Sequence, residues 1–222
     1  VNKSDGGACL LQSPYRLYDI IKATRDAVPK HIPVTAKMRL GFNDKEQYLD
    51  NAIAAYEAGA NELVVHARSK ADGYKPPAYW DYIASINESI DIPVVANGEI
   101  WSVNDYLRCK TMSQCDDFML GRGLLSCPDL ALQIKAQQQG TDYQAMTWLD
   151  VCLLIQHFFE RTTPLYPQKH TGNRVKQWLN YLRRQYPEAQ LLFDAIKRYR
   201  TAEEINHAID QSLMAADYAQ PA

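Results

Sequence analysis

Four short stretches of the sequence end in residues able to hold an anion or a polar ring: Lys37-Met38-Arg39, His66-Ala67-Arg68, Asn97-Gly98-Glu99 and Gly121-Arg122-Gly123. Singly, each is a common combination, and a lone lysine in such a place is usually a solvated charge. Their recurrence makes the signal. Glycines let backbone N–H groups approach a ligand closely, and arginine adds a charged, forked donor. Asn97, Gly98, Glu99, Gly121 and Arg122 therefore have the makings of a phosphate site. Lys37 and His66 would face the rest of the same ligand, where a cation stabilises negative charge developing on a ring. Two plainer accounts stay open: Gly98 and Gly121 only make tight turns, and His66 is a hydrogen-bonded histidine at the rim of the fold.

The elements that must position these residues repeat. Apolar runs begin at Pro33, Glu62, Ile92 and Asp117, and their starts are 29, 30 and 25 residues apart. Their Val/Ile/Leu content is continuous rather than alternating, the pattern of parallel strands covered on both faces. Between the first two runs, Gln47 to Ala58 places Leu49, Ile53, Ala54 and Tyr56 at helical spacing, and Gly59 supplies the stop. A helix over about Pro14 to Val28, with Leu17, Ile20, Ile21 and Ala27 on one face, has no strand before it. Four βα units are half of a closed parallel barrel, whose eight units take about 250 residues and whose phosphate site follows the last two strands. The expected fold is α/β: the second half of a (β/α)8 barrel over residues 1–138, then an all-α domain over 139–222. A four-stranded open sheet is the alternative.

After Gly140 no strand-like run follows, and Trp148–Arg161, Asn173–Tyr186, Ala189–Tyr199 and Ala202–Ala215 read as helices, with Thr201 as an N-cap for the last. The net charge of -2 hides an asymmetry. From Arg161 to Arg200 there are nine Lys/Arg against Glu188 and Asp194, a window of +7 on a chain that is otherwise -9. A basic island on an acidic protein fits a polyanionic partner. Within Asn173–Tyr186, Val175, Trp178, Leu179, Leu182 and Tyr186 form an apolar stripe, while Arg174, Gln177, Tyr181 and Arg184 line a polar face. An aromatic ring among cations suits RNA with an unstacked base; a solvated charged face is the other account. Five cysteines without a CxxC pair argue against disulfides or a zinc site, and no metal is expected. The longest apolar runs fall short of a membrane span and the N-terminus lacks a signal-peptide pattern, so no membrane contact and a cytoplasmic location are expected.

AKMRLG (36–41), ELVVHARS (62–69), GY (73–74), PVVANGEIW (93–101) and FMLGRGLL (118–125) together resemble the second half of the tRNA-dihydrouridine synthase family. NRVKQWLNYLRR (173–184) is similar to the C-subfamily, which modifies uridine 16 in the D-loop. The resemblance implies an FMN-bearing barrel, a helical tRNA-binding domain, NADPH as reductant, and a full-length enzyme that is a monomer reducing uridine to 5,6-dihydrouridine, an oxidoreductase acting on CH–CH. It assigns Lys37 and His66 to the isoalloxazine ring and Asn97, Gly98, Glu99, Gly121 and Arg122 to the ribityl phosphate. Arg39 and Tyr74 would lie near the target uridine. Arg174, Lys176, Tyr181 and Lys197 would grip the tRNA. The family's proton-donating cysteine belongs to a Gly-Cys-Pro turn expected upstream of Val1, so no catalytic residue is expected in this chain, and the fragment is expected to be inactive alone. Two other functions remain open: a different FMN-dependent barrel oxidoreductase acting on a small molecule, and a non-catalytic RNA-binding module.

Overall fold

Met38 and Leu40 alternate with Lys37 and Arg39 along the first strand, and that period of two gives the strand one apolar and one polar face. The computed structural model describes residues 5–218. It places β1 (Thr35–Gly41), β2 (Glu62–Ser69), β3 (Val94–Asn97) and β4 (Asp117–Met119) in one parallel sheet in that order. Helix α1 (Pro14–Ala27) comes before β1, and α2 (Tyr48–Glu57), α3 (Trp80–Ser89) and α4 (Val103–Ser113) connect the strands. Met38, Leu40, Leu63, Val65, Ala67, Val94 and Ala96 are at most 6% exposed. They meet fully buried residues of α2 and α3, among them Ala52, Ala55, Ile83 and Ile86. Burying this face drives the unit together, at about 25 cal/mol per Å² of apolar surface removed from water.

The opposite face departs from the expectation of strands covered on both sides. The register aligns Arg39, His66, Asn97 and Met119 in one row, and Lys37, Val64, Val95 and Asp117 in the next. Of these eight only Val64 and Val95 are buried. The apolar runs of β2 and β3 put Val64 and Val95 on this face, whereas β1 contributes Lys37 and Arg39 to it. β1 also runs past the apolar stretch to Gly41, whose carbonyl accepts from Lys70 N at 2.9 Å. Lys37 and Arg39 therefore stand within a strand, not beyond its end.

Ser13 caps α1 by accepting from Arg16 N, with Pro14 at the first helical position. Its expected apolar stripe is incompletely covered: Ile21 is buried, Leu17 is half-buried, and Ile20 and Ala27 are exposed. The helix rests on α2 and on a 3-10 helix, Gly7–Gln12, rather than on a strand. Gly59, at φ +91, ends the turn after α2.

Two compact units divide at Gly121, Val1–Gly121 and Arg122–Ala222. The described part of the second is helical: α5 (Arg122–Ser126), α6 (Leu130–Gln139), α7 (Trp148–Thr162), α8 (Asn173–Leu182), α9 (Pro187–Ile196) and α10 (Ala202–Tyr218). This grouping starts earlier than the 138/139 boundary read from the sequence. The reason is local bonding: Trp178 Nε1 on α8 donates to Leu125 O of α5 at 2.9 Å, and Asp129 beside α6 accepts from Met146 N at 2.9 Å. Val151, Ile155, Phe159, Val175, Leu179, Leu182, Ile196, Ile205 and Ile209 form its core. Thr147 with Asp150, and Thr201 with Glu204, cap α7 and α10 by reciprocal side chain–backbone bonds. Among the described residues no helix is long and apolar enough to cross a membrane.

Candidate functional site

The polar face of the sheet is organised by one chain of hydrogen bonds. Lys37 Nζ donates to Asn97 Oδ1 at 2.7 Å, and Asn97 Nδ2 donates to Met119 O at 2.7 Å. The lysine reaches from β1 over β2 to β3, one row along the sheet, and the asparagine continues to β4, so the two bonds link β1, β3 and β4. Loss of solvent, and then the nearby positive charge of Arg39, hold the Lys37 pKa below its ordinary 10.5. An ammonium in this position gains from any electron-rich group that supplies the lost solvation.

His66 lies between Arg39 and Asn97 in the row, and its ring packs against the backbone after β3. Gly98 makes that possible: its φ is +119, and a Cβ there would sit 2.8 Å from His66 Cδ2. The loop is pinned from its other side by Trp80 Nε1, which donates to Gly98 O at 3.0 Å. Gly98 is therefore required by the packing of His66 itself, a closer reason than a tight turn. Gly121 differs, because a Cβ at that position would meet nothing within 4 Å.

Glu99, at φ +59, turns its carboxylate toward protein donors. Arg68, fully buried, pairs with one oxygen, and Trp101 Nε1 donates to the other at 3.0 Å. Arg68 Nε also donates to Pro77 O at 3.0 Å. Removing Glu99 would strand a buried guanidinium, typically a loss of about 3–5 kcal/mol. Its place among the anion-holding residues is thus that of a clamp on the 98–101 loop, since a carboxylate so engaged offers nothing attractive to a phosphate. Arg68, Trp80 and Trp101, which the sequence reading gave no role, are the other half of this clamp. The signal for them was present in HAR and in the two tryptophans flanking ANGE, but only the fold brings the partners together.

Arg39 Nη1 donates to Ser69 O at 2.9 Å and to Gly73 O at 3.1 Å, and its guanidinium stands 5.2 Å from the Tyr74 ring centroid. The Tyr74 ring is 6.3 Å from that of His66 and remains 64% exposed. The structure thus brings Arg39, His66 and Tyr74 together at the end of the sheet. The loop carrying Tyr74 is braced by Lys45, which pairs with Asp72 at 3.0 Å. Burial works against the Asp72 carboxylate, but the Ser69 N–H, the Lys45 ammonium and the Ser69 hydroxyl outweigh it and lower its pKa.

On the helical unit, Val175, Leu179, Leu182 and Tyr186 are buried as their spacing requires, and Trp178 is half-buried against them. Arg174 is exposed, donating to Gln177 at 3.3 Å and lying 5.1 Å from the Tyr166 ring centroid. Tyr181 is half-buried on the same helix. Lys176 is committed inward, donating to Tyr199 O at 2.6 Å, and desolvation followed by the charge of Arg200 lowers its pKa. Lys197 pairs with Asp194 at 2.8 Å on an exposed surface. Arg122 opens α5.

The dihydrouridine synthase family model matches residues 1–216. This chain belongs to the dihydrouridine synthase family. Among curated relatives, the tRNA-dihydrouridine(16) synthase of Shewanella oneidensis is 49% identical over 212 residues, covering 96% of this chain and 66% of the relative. The enzyme of the same name from Pseudomonas putida is 49% identical over 198 residues, 89% of this chain and 61% of the relative. That from Neisseria meningitidis serogroup B is 44% identical over 210 residues, 94% and 63%. The chain therefore spans just under two-thirds of the length of those relatives. What it displays is a polar sheet face held by Lys37, Asn97 and the Arg68–Glu99 clamp, and a separate helical surface carrying Arg174.

Proposed function

We propose that this chain is the C-terminal part of an FMN-dependent, NADPH-consuming tRNA-uridine reductase that converts uridine 16 of the D-loop to 5,6-dihydrouridine. The four-stranded parallel sheet is on this reading the second half of a (β/α)8 barrel. Support comes from the relatives' shared name and from their greater length. The whole enzyme is expected to work as a cytoplasmic monomer. The other two readings lose ground for separate reasons. A small-molecule oxidoreductase has no use for the +7 window, and a bare RNA-binding module has no use for a lysine held across the sheet by Asn97.

The observation that carries the proposal is the Lys37–Asn97–Met119 chain beside His66. Bound FMN would supply hydride chemistry that no side chain offers. Lys37 and His66, on adjacent rows of the sheet, would present donors to an electron-rich edge of a ring. Asn97 keeps Lys37 extended across β2, and Gly98 holds His66 in place. The backbone around Gly121, open to approach, and Arg122 next to it in the chain are assigned to the ribityl phosphate. Arg39 and Tyr74 are assigned to the target base, the tyrosine ring offering a stacking surface and the arginine keeping its loop in shape. Arg174, Tyr181, Lys197 and Lys176 are assigned to tRNA, the last through the Tyr199 turn it anchors. No cysteine of this chain is assigned as proton donor: Cys9 belongs to the 3-10 helix Gly7–Gln12, and Cys109, Cys115, Cys127 and Cys152 are buried.

The test uses the full-length protein. Lys37→Met should lower flavin content after dialysis and abolish formation of dihydrouridine at position 16 of an unmodified transcript, with the fold retained by circular dichroism. Full flavin retention and turnover in that variant would falsify the assignment.

A further inference from the structure

Lys45 stands in the turn after β1, yet its side chain is only 17% exposed. Its ammonium lies between two partners, the Asp72 carboxylate at 3.0 Å and the Tyr79 ring, whose centroid is 4.0 Å away. Tyr79 is itself held, its N–H donating to Ala67 O at 2.8 Å and its ring meeting that of Tyr82 edge-on at 6.1 Å. The turn that presents Lys45 is equally tight, since a Cβ on Gly41 would lie 2.1 Å from Asp44 O. Drawing a flexible ammonium off water loses rotamer freedom and hydration, which is unfavourable unless its partners compensate. Here a carboxylate and a ring face both do.

Asp72 is the centre of bonding in the loop that carries Tyr74. Its Oδ2 accepts from Ser69 N at 2.8 Å as well as from Lys45, and its own N–H donates to Ser69 Oγ at 3.1 Å. Gly73 N–H donates to Lys70 O at 3.1 Å and Lys75 N–H to Asp72 O at 3.3 Å, so the backbone is fixed before and after Tyr74. Arg39 on β1 holds Gly73 O, and Lys45 holds Asp72. Gly73, at φ +62, makes the bend directly before Tyr74. The Tyr74 ring, 64% exposed, therefore owes its position to this backbone more than to burial. We propose that Lys45 and Asp72 are positioning residues for uridine reduction: their ion pair, backed by the Tyr79 ring, fixes the loop from which Tyr74 meets the target base. The inference rests on the assignment of Tyr74 to that base and adds the device that sets its place. A stacking ring displaced by about 1 Å misaligns the base for reduction, and a shift of that size can slow a reaction by about 100-fold.

The test uses the full-length, flavin-loaded protein and an unmodified tRNA transcript, with thermal melting alongside. Lys45→Met should slow single-turnover uridine reduction about tenfold, within the range such a misplacement allows, while tRNA affinity and the rate of flavin reduction by NADPH hold. Lys45→Arg, which keeps a cation for the carboxylate and the ring, should restore most of the rate. Asp72→Asn should match Lys45→Met, and the double variant should be no slower than either, because both remove one interaction. Tyr74→Ala should slow reduction by itself, and Lys45→Met added to it should change nothing further, a result that a merely structural role does not give. Independently of turnover, amide exchange in the peptide spanning 69–75 should quicken about fivefold in Lys45→Met, the scale of one lost, partly exposed ion pair. Unchanged exchange, or an equal loss of rate in the Tyr74→Ala background, overturns the device while the base assignment stands. Full uridine reduction by Tyr74→Ala removes the base assignment and the device with it.

Discussion

The sheet face and the helical surface solve recognition in opposite ways. On the sheet, four candidate side chains are held by protein partners: Lys37 by Asn97, Asn97 by Met119 O, Glu99 by Arg68 and Trp101, His66 by its packing on Gly98. A strand backed by buried Leu63, Val65 and Ala96 cannot shift, so the donors keep one arrangement whatever binds. On α8 and at the end of α9, Arg174 and Lys197 are exposed cations, Arg174 touching Gln177 and the Tyr166 ring and Lys197 paired with Asp194. The first region suits a ligand whose atoms must be placed within a fraction of an ångström; the second suits a polyanion whose charges matter more than their positions.

The comparison is most severely tested at Gly98. Gly98→Val imposes a side chain at φ +119 and drives it into the His66 ring, adding backbone strain of about 1–3 kcal/mol to the displacement. The expected result is loss of nearly all bound flavin and a lower melting temperature, read from the flavin-to-protein absorbance ratio and a thermal scan. A change of the same size at Gly121, where a Cβ meets nothing, should be milder in stability. Equal melting temperatures for the two variants would erase the distinction between a packed and an open glycine.

These two glycines also mark the limit of what the sequence discloses. GEI after an apolar run and GRG after the next showed where the strands end and that glycine was needed. Nothing in either motif separates a glycine needed by a histidine from one that faces open space. Gly98 and His66 are 32 positions apart, and the contact exists only because β2 and β3 are neighbours in register. The basic helix was legible in detail because a helix fixes its own faces by a period of 3.6 residues. Lys176 escaped for the converse reason, since its partner Tyr199 lies on another segment and the carbonyl that draws it inward has no signature.

Lys37 offers a second way to sharpen the contrast, through pH. Its folded pKa lies below 10.5, so between the two values the unfolded chain holds more protons, and this lysine's contribution to stability rises with pH through that interval. Lys37→Met removes the titration. The difference in melting temperature, parent minus variant, should therefore grow as pH increases toward 10.5. A difference independent of pH would show that the ammonium is as well solvated as a surface lysine, and the sheet face would lose its claim to be the rigid, partly dry partner. Arg174→Ala and Lys176→Ala should then part company on the helices. Arg174→Ala should flatten the salt dependence of tRNA binding by about 0.7–0.9 per phosphate lost, without change in melting temperature. Lys176→Ala should lower the melting temperature, because the Tyr199 carbonyl loses its donor, and should affect the slope less.

Lys197→Ala is the smallest effect and the most direct test of how loosely the helical surface is built. Lys197 and Asp194 are three residues apart at the end of α9, both about half exposed, at 46% and 48%, and such pairs add little to stability in water. The melting temperature should therefore not move measurably. The Asp194 carboxylate, held below its usual pKa first by Lys197 and then by Gln190, keeps Gln190, which it already accepts from at 2.8 Å, and the nearby charge of Arg183. In RNA binding the lysine's charge is partly cancelled at short range by that carboxylate, so the salt slope should fall by less than Arg174→Ala removes. Asp194→Asn supplies the complementary change: it frees Lys197 from its counter-ion and should raise affinity where Lys197→Ala lowers it. Opposite signs for the two variants, with unchanged stability in both, place Lys197 on a surface governed by net charge. A marked loss of stability in Lys197→Ala would instead make the helical surface as constrained as the sheet.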